Sequence, residues 1–273
     1  MKINRLAAVA AALVGMAAAQ SSMACSLTAW GQGNPPGATG VVGAPVAGEP
    51  DDAVPVKRYS GRCGLQAGTG AYVQDGLPTA EATYNAQFYM YTSASATYFQ
   101  ADSSAPAALI KVKYDGTNIV VERDGGVANT TPIPATANRW YRVLVKWSAT
   151  AGTLQYTVRG AGAPEASAVS GTISGVGSAL RIETAKLGMV EGATGNVSVD
   201  AFESRRTSDP APLCRGDANA DTILNVQDRI LITNEAAGSS LNSGQPDVNE
   251  DGLINVQDRI LVTNRAANAE ACP

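Results

Sequence analysis

Along residues 57–207 apolar and polar positions alternate in short runs, and after residue 225 the alternation gives way to two runs of helical spacing. The alternating runs fall at 72–73, 83–92, 97–101, 108–114, 118–123, 140–147, 153–159, 179–186 and 197–204. Turn signals such as Asp115-Gly116 and Asp124-Gly125-Gly126 separate them. Period-two runs bounded by Gly and Asp predict the strands of an all-β sandwich. Within them, Tyr89 and Tyr91 fall on the face opposite Phe88 and Met90. Trp140 and Trp147 have odd separation, so an unbulged strand places them on opposite faces. The helical runs are 226–235 and 256–265, with Ile230/Leu231 and Ile260/Leu261 as matching apolar pairs.

Each helical run follows a turn studded with oxygen donors, and the two copies start 30 residues apart. Residues 225–231 recur unchanged as 255–261. In a twelve-residue loop, donors at positions 1, 3, 5, 7, 9 and 12 can wrap a hard cation that accepts six to eight oxygens at loose geometry. The first loop offers the side chains of Asp217, Asn219, Asp221 and Asp228, the carbonyl of Ile223, and Asn225 directly or through water. The second offers Asp247, Asn249, Asp251, Asp258, the carbonyl of Leu253, and Asn255. Two Ca²⁺ ions are expected. Position 6 is Gly252 in the second loop but the β-branched Thr222 in the first, so the first site is expected to be the weaker.

A complete EF-hand has a helix on both sides of its loop, whereas nothing helical precedes Asp217. A loop followed by one helix, given twice over 214–273, resembles a type I dockerin. That resemblance implies two calcium ions and a cohesin-like protein partner. It places the partner contacts at Val226, Gln227, Val256 and Gln257, with Thr233, Asn234, Thr263 and Asn264 further along the helices. The cellulosomal pattern has small hydroxyls in the first pair and basic residues in the second; this chain departs at both. The halves match closely enough that either could face the partner after a half-turn.

The central run resembles a concanavalin A-like, laminin-G-like jelly roll through 84–91, 139–147 and 199–205. The expected fold class is therefore mainly β, a jelly-roll β-sandwich at 57–207 joined to a small helical calcium module at 212–273. Such sandwiches host lectins, glycosidases and purely structural modules. The chain has no histidine, which excludes Ser-His and Cys-His nucleophile systems and leaves carboxylate pairs as the glycosidase machinery. The nearest acidic run, Glu122-Arg123-Asp124, lacks a third acid and ends in a turn, and Asp200 and Glu203 do not share an unbulged strand face. No catalytic residue is assigned. Tyr89, Tyr91, Tyr98 and Phe99 offer an aromatic platform for a polysaccharide ligand, against an ordinary core and surface role.

Residues 1–24 carry Lys2 and Arg5 ahead of an apolar run and small residues, the pattern of a secretory signal cleaved after Ala19 or Ala24. The same stretch half-resembles a lipoprotein box at Cys25, with Ser22 in place of the usual Leu. An exported protein, secreted or held at the cell surface, is expected. No other stretch is apolar enough to span a bilayer. Losing Lys2 and Arg5 moves the net charge from −4 to about −6, and without a basic patch nucleic-acid binding is excluded. Residues 25–56, rich in Gly, Pro and Ala, read as a linker. Four cysteines in an exported chain suggest two disulfides, Cys214 with Cys272 across the calcium module and Cys25 with Cys63.

Overall fold

The computed structural model describes residues 40–43, 57–76, 78–104, 107–192 and 194–272. The signal-like stretch and Cys25 lie outside the described residues, as does most of the stretch read as linker.

Two antiparallel sheets face each other. In spatial order the first contains β1 (Gly40–Gly43), β2 (Gly64–Gly68), β13 (Asn196–Arg205), β4 (Thr83–Tyr91), β9 (Trp140–Ser148), β10 (Thr153–Gly160) and β11 (Val169–Ser174). The second contains β3 (Tyr72–Asp75), β12 (Thr184–Gly192), β5 (Ala96–Asp102), β6 (Ala108–Tyr114), β7 (Ile119–Arg123) and β8 (Val127–Ala128). Alternation decides what faces inward. Tyr84, Ala86, Phe88 and Met90 of β4 meet Tyr141, Val143, Val145 and Trp147 of β9 and Leu154, Tyr156 and Val158 of β10 in one core. Phe88 stacks on Phe99 of the opposite sheet, with ring centroids 5.1 Å apart.

Several elements differ from the sequence reading. The run 179–186 becomes a strand only from Thr184 and continues to Gly192. β1 lies inside the stretch read as linker and pairs with β2. β2 and β11 gave no alternating signal because glycines stand where side chains cannot. A Cβ on Gly171 of β11 would lie 2.3 Å from the Tyr156 hydroxyl oxygen, and one on Gly64 of β2 would lie 2.0 Å from the Lys57 carbonyl oxygen. Tyr98 and Phe99 belong to the sandwich core and are fully buried, so neither is part of an exposed platform.

A bulge in β13 corrects the reading of its two acids. Register against β4 shifts between Asp200 and Glu203, with Ala201 at φ 48°. One extra residue reverses the parity, so Asp200 and Glu203 emerge on the same face, opposite Tyr89 and Gln87.

The two helices are α1 (Val226–Ala236) and α2 (Val256–Ala267). Between them lies a small core of Ala218, Ile232, Val248 and Val262, each from an equivalent pair of positions in the two halves. Ile230 and Ile260, one half of each apolar pair read from the sequence, stay about half exposed. Cys214 is bonded to Cys272, with Cα atoms 5.0 Å apart, and Cys63 is also in a disulfide.

Candidate metal centre and the junction beneath it

The two oxygen-rich loops fold alike because each is laced by its own carboxylates. In the first, Asp217 accepts the N–H groups of Asp221 (3.1 Å) and Thr222 (2.8 Å). In the second, Asp247 accepts those of Asp251 (3.2 Å) and Gly252 (2.8 Å). Asp221 and Asp251 each take the amide of Asn219 or Asn249 on one oxygen and the N–H of Ile223 or Leu253 on the other. The last acid of each loop reaches back across it. Asp228 accepts from Ala218 and Asn225, both at 2.9 Å; Asp258 accepts from Val248 at 2.8 Å and Asn255 at 2.9 Å. Through Asn225 and Asn255, which accept from Gln227 and Gln257, these bonds also form the N-terminal capping boxes of α1 and α2. One short segment thus closes the loop and starts the helix.

The donor set fits a hard cation. It is all oxygen, with three carboxylates per loop, and each carboxylate oxygen that takes one N–H keeps lone-pair capacity. Asp228 and Asp258 are fully buried, and Asp217 and Asp247 nearly so. Burial raises the carboxyl of Asp217 above its ordinary range, against its backbone bonds, and the neighbouring Asp228 and Asp221 push it the same way. Asp258 is likewise raised, by burial first and by Asp251 in addition. The amide of Asn225 lies 3.3 Å from the Ile223 carbonyl oxygen, so positions 7 and 9 meet on one side of the loop. Position 6 adopts the left-handed conformation in both copies, Thr222 at φ 68° and Gly252 at φ 87°. Cys214, Cys272 and Asp217 also cluster, but both sulfurs are consumed by their disulfide and offer no thiolate.

All eight residues expected to meet a partner are exposed: Val226, Gln227, Thr233, Asn234, Val256, Gln257, Thr263 and Asn264. They share the outer helix surface with Ile230 and Ile260, where Arg229, Ile230, Thr233, Asn234 and Arg259 line a shallow groove of about 250 Å³.

The aromatic platform is corrected here. Tyr89 and Tyr91 do point out of the sheet, away from the core, but they are covered. The register of the first sheet sets Asp200, Tyr89, Arg142 and Arg159 in one row across β13, β4, β9 and β10, with Tyr91 beside Trp140 one step along. Tyr59 lies flat on Tyr89 at 3.8 Å between centroids and edge-on to Trp140 at 5.7 Å. Trp140 belongs to this outer cluster and Trp147 to the core, on opposite faces of β9. Asp200 accepts the N–H groups of Tyr59 and Ser60, at 2.7 and 2.9 Å, and of Ala201. Burial pushes its carboxyl up to about 6 against those bonds. Its neighbour on the same face, Glu203, is tied to Arg205 at 2.6 Å. Glu122 pairs with Lys113, and Asp124 lies in the turn beside Arg123.

Over this row lies the two-helix module. Residues 208–213 run along β4, where Asn85 donates to the Ser208 carbonyl (2.9 Å), Gln87 to the Ala211 carbonyl (2.7 Å), and the N–H of Leu213 to the Tyr89 hydroxyl (3.2 Å). Arg58 forms a buried ion pair with Glu235 of α1, and Arg159 forms one with Glu250 of the second loop. Sequence reading missed these groups. The signal that could have found them is a mismatch between the repeats: Ala220 stands where the other half has Glu250, and Arg265 where the other half has Glu235.

No family model matches the chain, and no curated protein matches it. Solved structures give distant likenesses. A glycoside hydrolase family 131 β-glucanase catalytic domain from Podospora anserina is 11% identical, covering 62% of this chain and 79% of that one, with a TM-score of 0.38. Peanut lectin is 14% identical, covering 62% and 98%, at a TM-score of 0.35. A SAP-like pentraxin from Limulus polyphemus is 16% identical, covering 51% and 74%, at 0.36. At such low scores they carry no argument about substrate or activity. Among the described residues no helix is long and apolar enough to cross a membrane.

Proposed function

We propose that residues 212–273 form a dockerin-like module that binds two Ca²⁺ ions and presents α1 and α2 to a cohesin-like protein, carrying the β-sandwich with it. The observation that carries this reading is the duplicated oxygen lattice. Two twelve-residue loops place buried carboxylates at positions 1 and 12, with a left-handed residue at position 6 of each. A lattice that spends two buried acids per loop on a few backbone N–H groups, with an exposed third acid beside them, is costly without a cation. Calcium fixes the loops, the loops cap the helices, and the helices hold Val226, Gln227, Val256 and Gln257 outward. The sandwich is read as non-catalytic, in a polysaccharide-related or cell-surface setting; Glu122, Asp124, Asp200 and Glu203, the acids singled out from its sequence, are engaged by neighbouring basic groups or backbone N–H groups.

Calorimetric titration of the full, disulfide-intact chain should give two ions. At calcium near a hundredfold excess over Kd the module should gain about 2.7 kcal/mol per site against unfolding. A panel of immobilised cohesin modules should retain the protein with calcium and release it with chelator. Replacing Val226, Gln227, Val256 and Gln257 together should abolish retention while leaving both ions bound. Two bound ions with no retention by any cohesin would leave the loops as a structural staple and defeat the docking reading.

A further inference from the structure

The junction between module and sandwich is built from groups that the calcium loops do not need. The Glu250 carboxylate accepts from both terminal nitrogens of Arg159, at 2.8 and 2.7 Å, from the N–H of Gly162 at 2.7 Å, and from the Tyr59 hydroxyl. Glu250 and Arg159 are both buried. On the other side of Tyr59, Glu235 holds Arg58 and accepts the N–H of Asn242 at 2.8 Å. The backbones also come close: Gly61 donates to the Gly244 carbonyl at 2.8 Å, and a Cβ on Gly162 would lie 3.2 Å from the Asn249 carbonyl oxygen.

At the level of the loops the junction is one-sided. In the first loop the equivalent of Glu250 is Ala220, which is exposed. Glu250 lies between two cation donors, Asn249 and Asp251, and holds a left-handed backbone at φ 57°. Its carboxylate reaches Arg159 only while that loop keeps its closed path, which is the path a cation at Asp247, Asn249, Asp251 and Asp258 fixes.

We propose that the second loop is a calcium-dependent latch: closing it seats Glu250 against Arg159 and Tyr59 and holds the module over the aromatic face of Tyr59, Tyr89, Tyr91 and Trp140. The proposal rests on the calcium reading above. Removing calcium from the second loop opens the latch and uncovers those rings, whereas the first loop reaches the junction only indirectly, through α1 and its Glu235. Linkage makes the effect reciprocal, so the junction tightens calcium at the second loop by the same factor that calcium tightens the junction.

The test uses the full, disulfide-intact chain. Calcium binding is followed by calorimetry, and hydrogen exchange is read at Gly61 and Gly162, whose N–H groups bond across the junction, with 143–147 as the internal reference. Chelation should speed exchange at both glycines about tenfold or more, within the usual range of coupling between sites, and leave 143–147 protected. The double variant Arg159→Met/Glu250→Gln, which removes both buried charges together, should exchange freely there even with calcium. It should also lose about tenfold in affinity at one of its two sites only. If that variant loses protection at 143–147, Tyr59→Phe replaces it and must weaken one site of two. Absence of calcium binding overturns the calcium reading and the latch together. Two bound ions with junction protection unchanged on chelation overturn the latch alone.

Discussion

The first and second loops share their ligand pattern and their internal hydrogen bonds, yet they occupy different worlds. The first sends no side chain from its fourth position into the sandwich and reaches it only through Glu235 of its helix. The second passes a side chain from its fourth position into the sandwich, where Glu250 meets Arg159, Tyr59 and Gly162. A duplicated segment keeps in common what the cation and the helix cap require and diverges where one copy touches something the other does not. The two halves are not equivalent at the junction: α1 brings Glu235 to Arg58, whereas Arg265 of α2 turns to Glu270 and the Arg215 carbonyl.

That contrast can be broken most severely at Glu250. Glu250→Ala leaves the Arg159 guanidinium buried without its main partner and should cost about 3–5 kcal/mol in denaturant unfolding. The mirror change, Ala220→Glu, adds an exposed acid and should move stability by less than about 0.5 kcal/mol. Equal losses from the two would dissolve the distinction between the loops.

Next in size, Cys214→Ser with Cys272→Ser opens a cross-link of sequence separation 58. The chain-entropy relation gives about 4 kcal/mol for a loop of this length. Both loops should suffer together, since the bond closes the module as a whole; loss of calcium from only one site would contradict that.

Position 6 offers a smaller lever. Thr222→Gly relieves a β-branched residue at φ 68° and should stabilise the first loop by about 1 kcal/mol, read as roughly fivefold tighter calcium there. Gly252→Thr should weaken the second loop comparably. Unchanged affinity in both variants would remove position 6 as a source of difference between the sites.

The smallest effect concerns pH. Asp200 has its folded pKa raised to about 6, above its unfolded value, by burial. Its contribution is then fully present below about pH 4 and is lost as pH rises through 6. Because the side chain keeps partial access to solvent, the change should be modest. Wild-type stability measured between pH 4 and 7 should fall more than that of Asp200→Asn; parallel curves would reassign the pH dependence elsewhere.

How much of this was legible in advance follows from how local each feature is. The two oxygen-rich loops could be read because their pattern is a spacing of donors within twelve residues. β9 could be read because Trp140 to Trp147 alternates cleanly, and the two tryptophans do separate onto the two faces. β2 and β11 were hidden because their glycines answer to close contacts that alternation does not display, Lys57 in the case of Gly64 and Tyr156 in the case of Gly171. The bulge at Ala201 was hidden for the same reason, and with it the shared face of Asp200 and Glu203. Alternation set Tyr89 and Tyr91 on the face opposite Phe88 and Met90, but period two says neither which face is the core nor what lies on top. What covers them is Tyr59 and the module, both remote in the chain.

The segment 208–213 gives the molecule a mechanical character. If the helices were gripped by a partner and the sandwich dragged by flow, tension would enter at α1 and α2 and leave through β13. Once the two buried ion pairs had parted, the strap would peel from β4 one fastening at a time. Leu213 would leave Tyr89 first, then Ala211 would leave Gln87, and last Ser208 would leave Asn85. Sequential rupture of this kind yields at low force and lengthens gradually, so the strap would act as a shock absorber between a fixed anchor and a moving load.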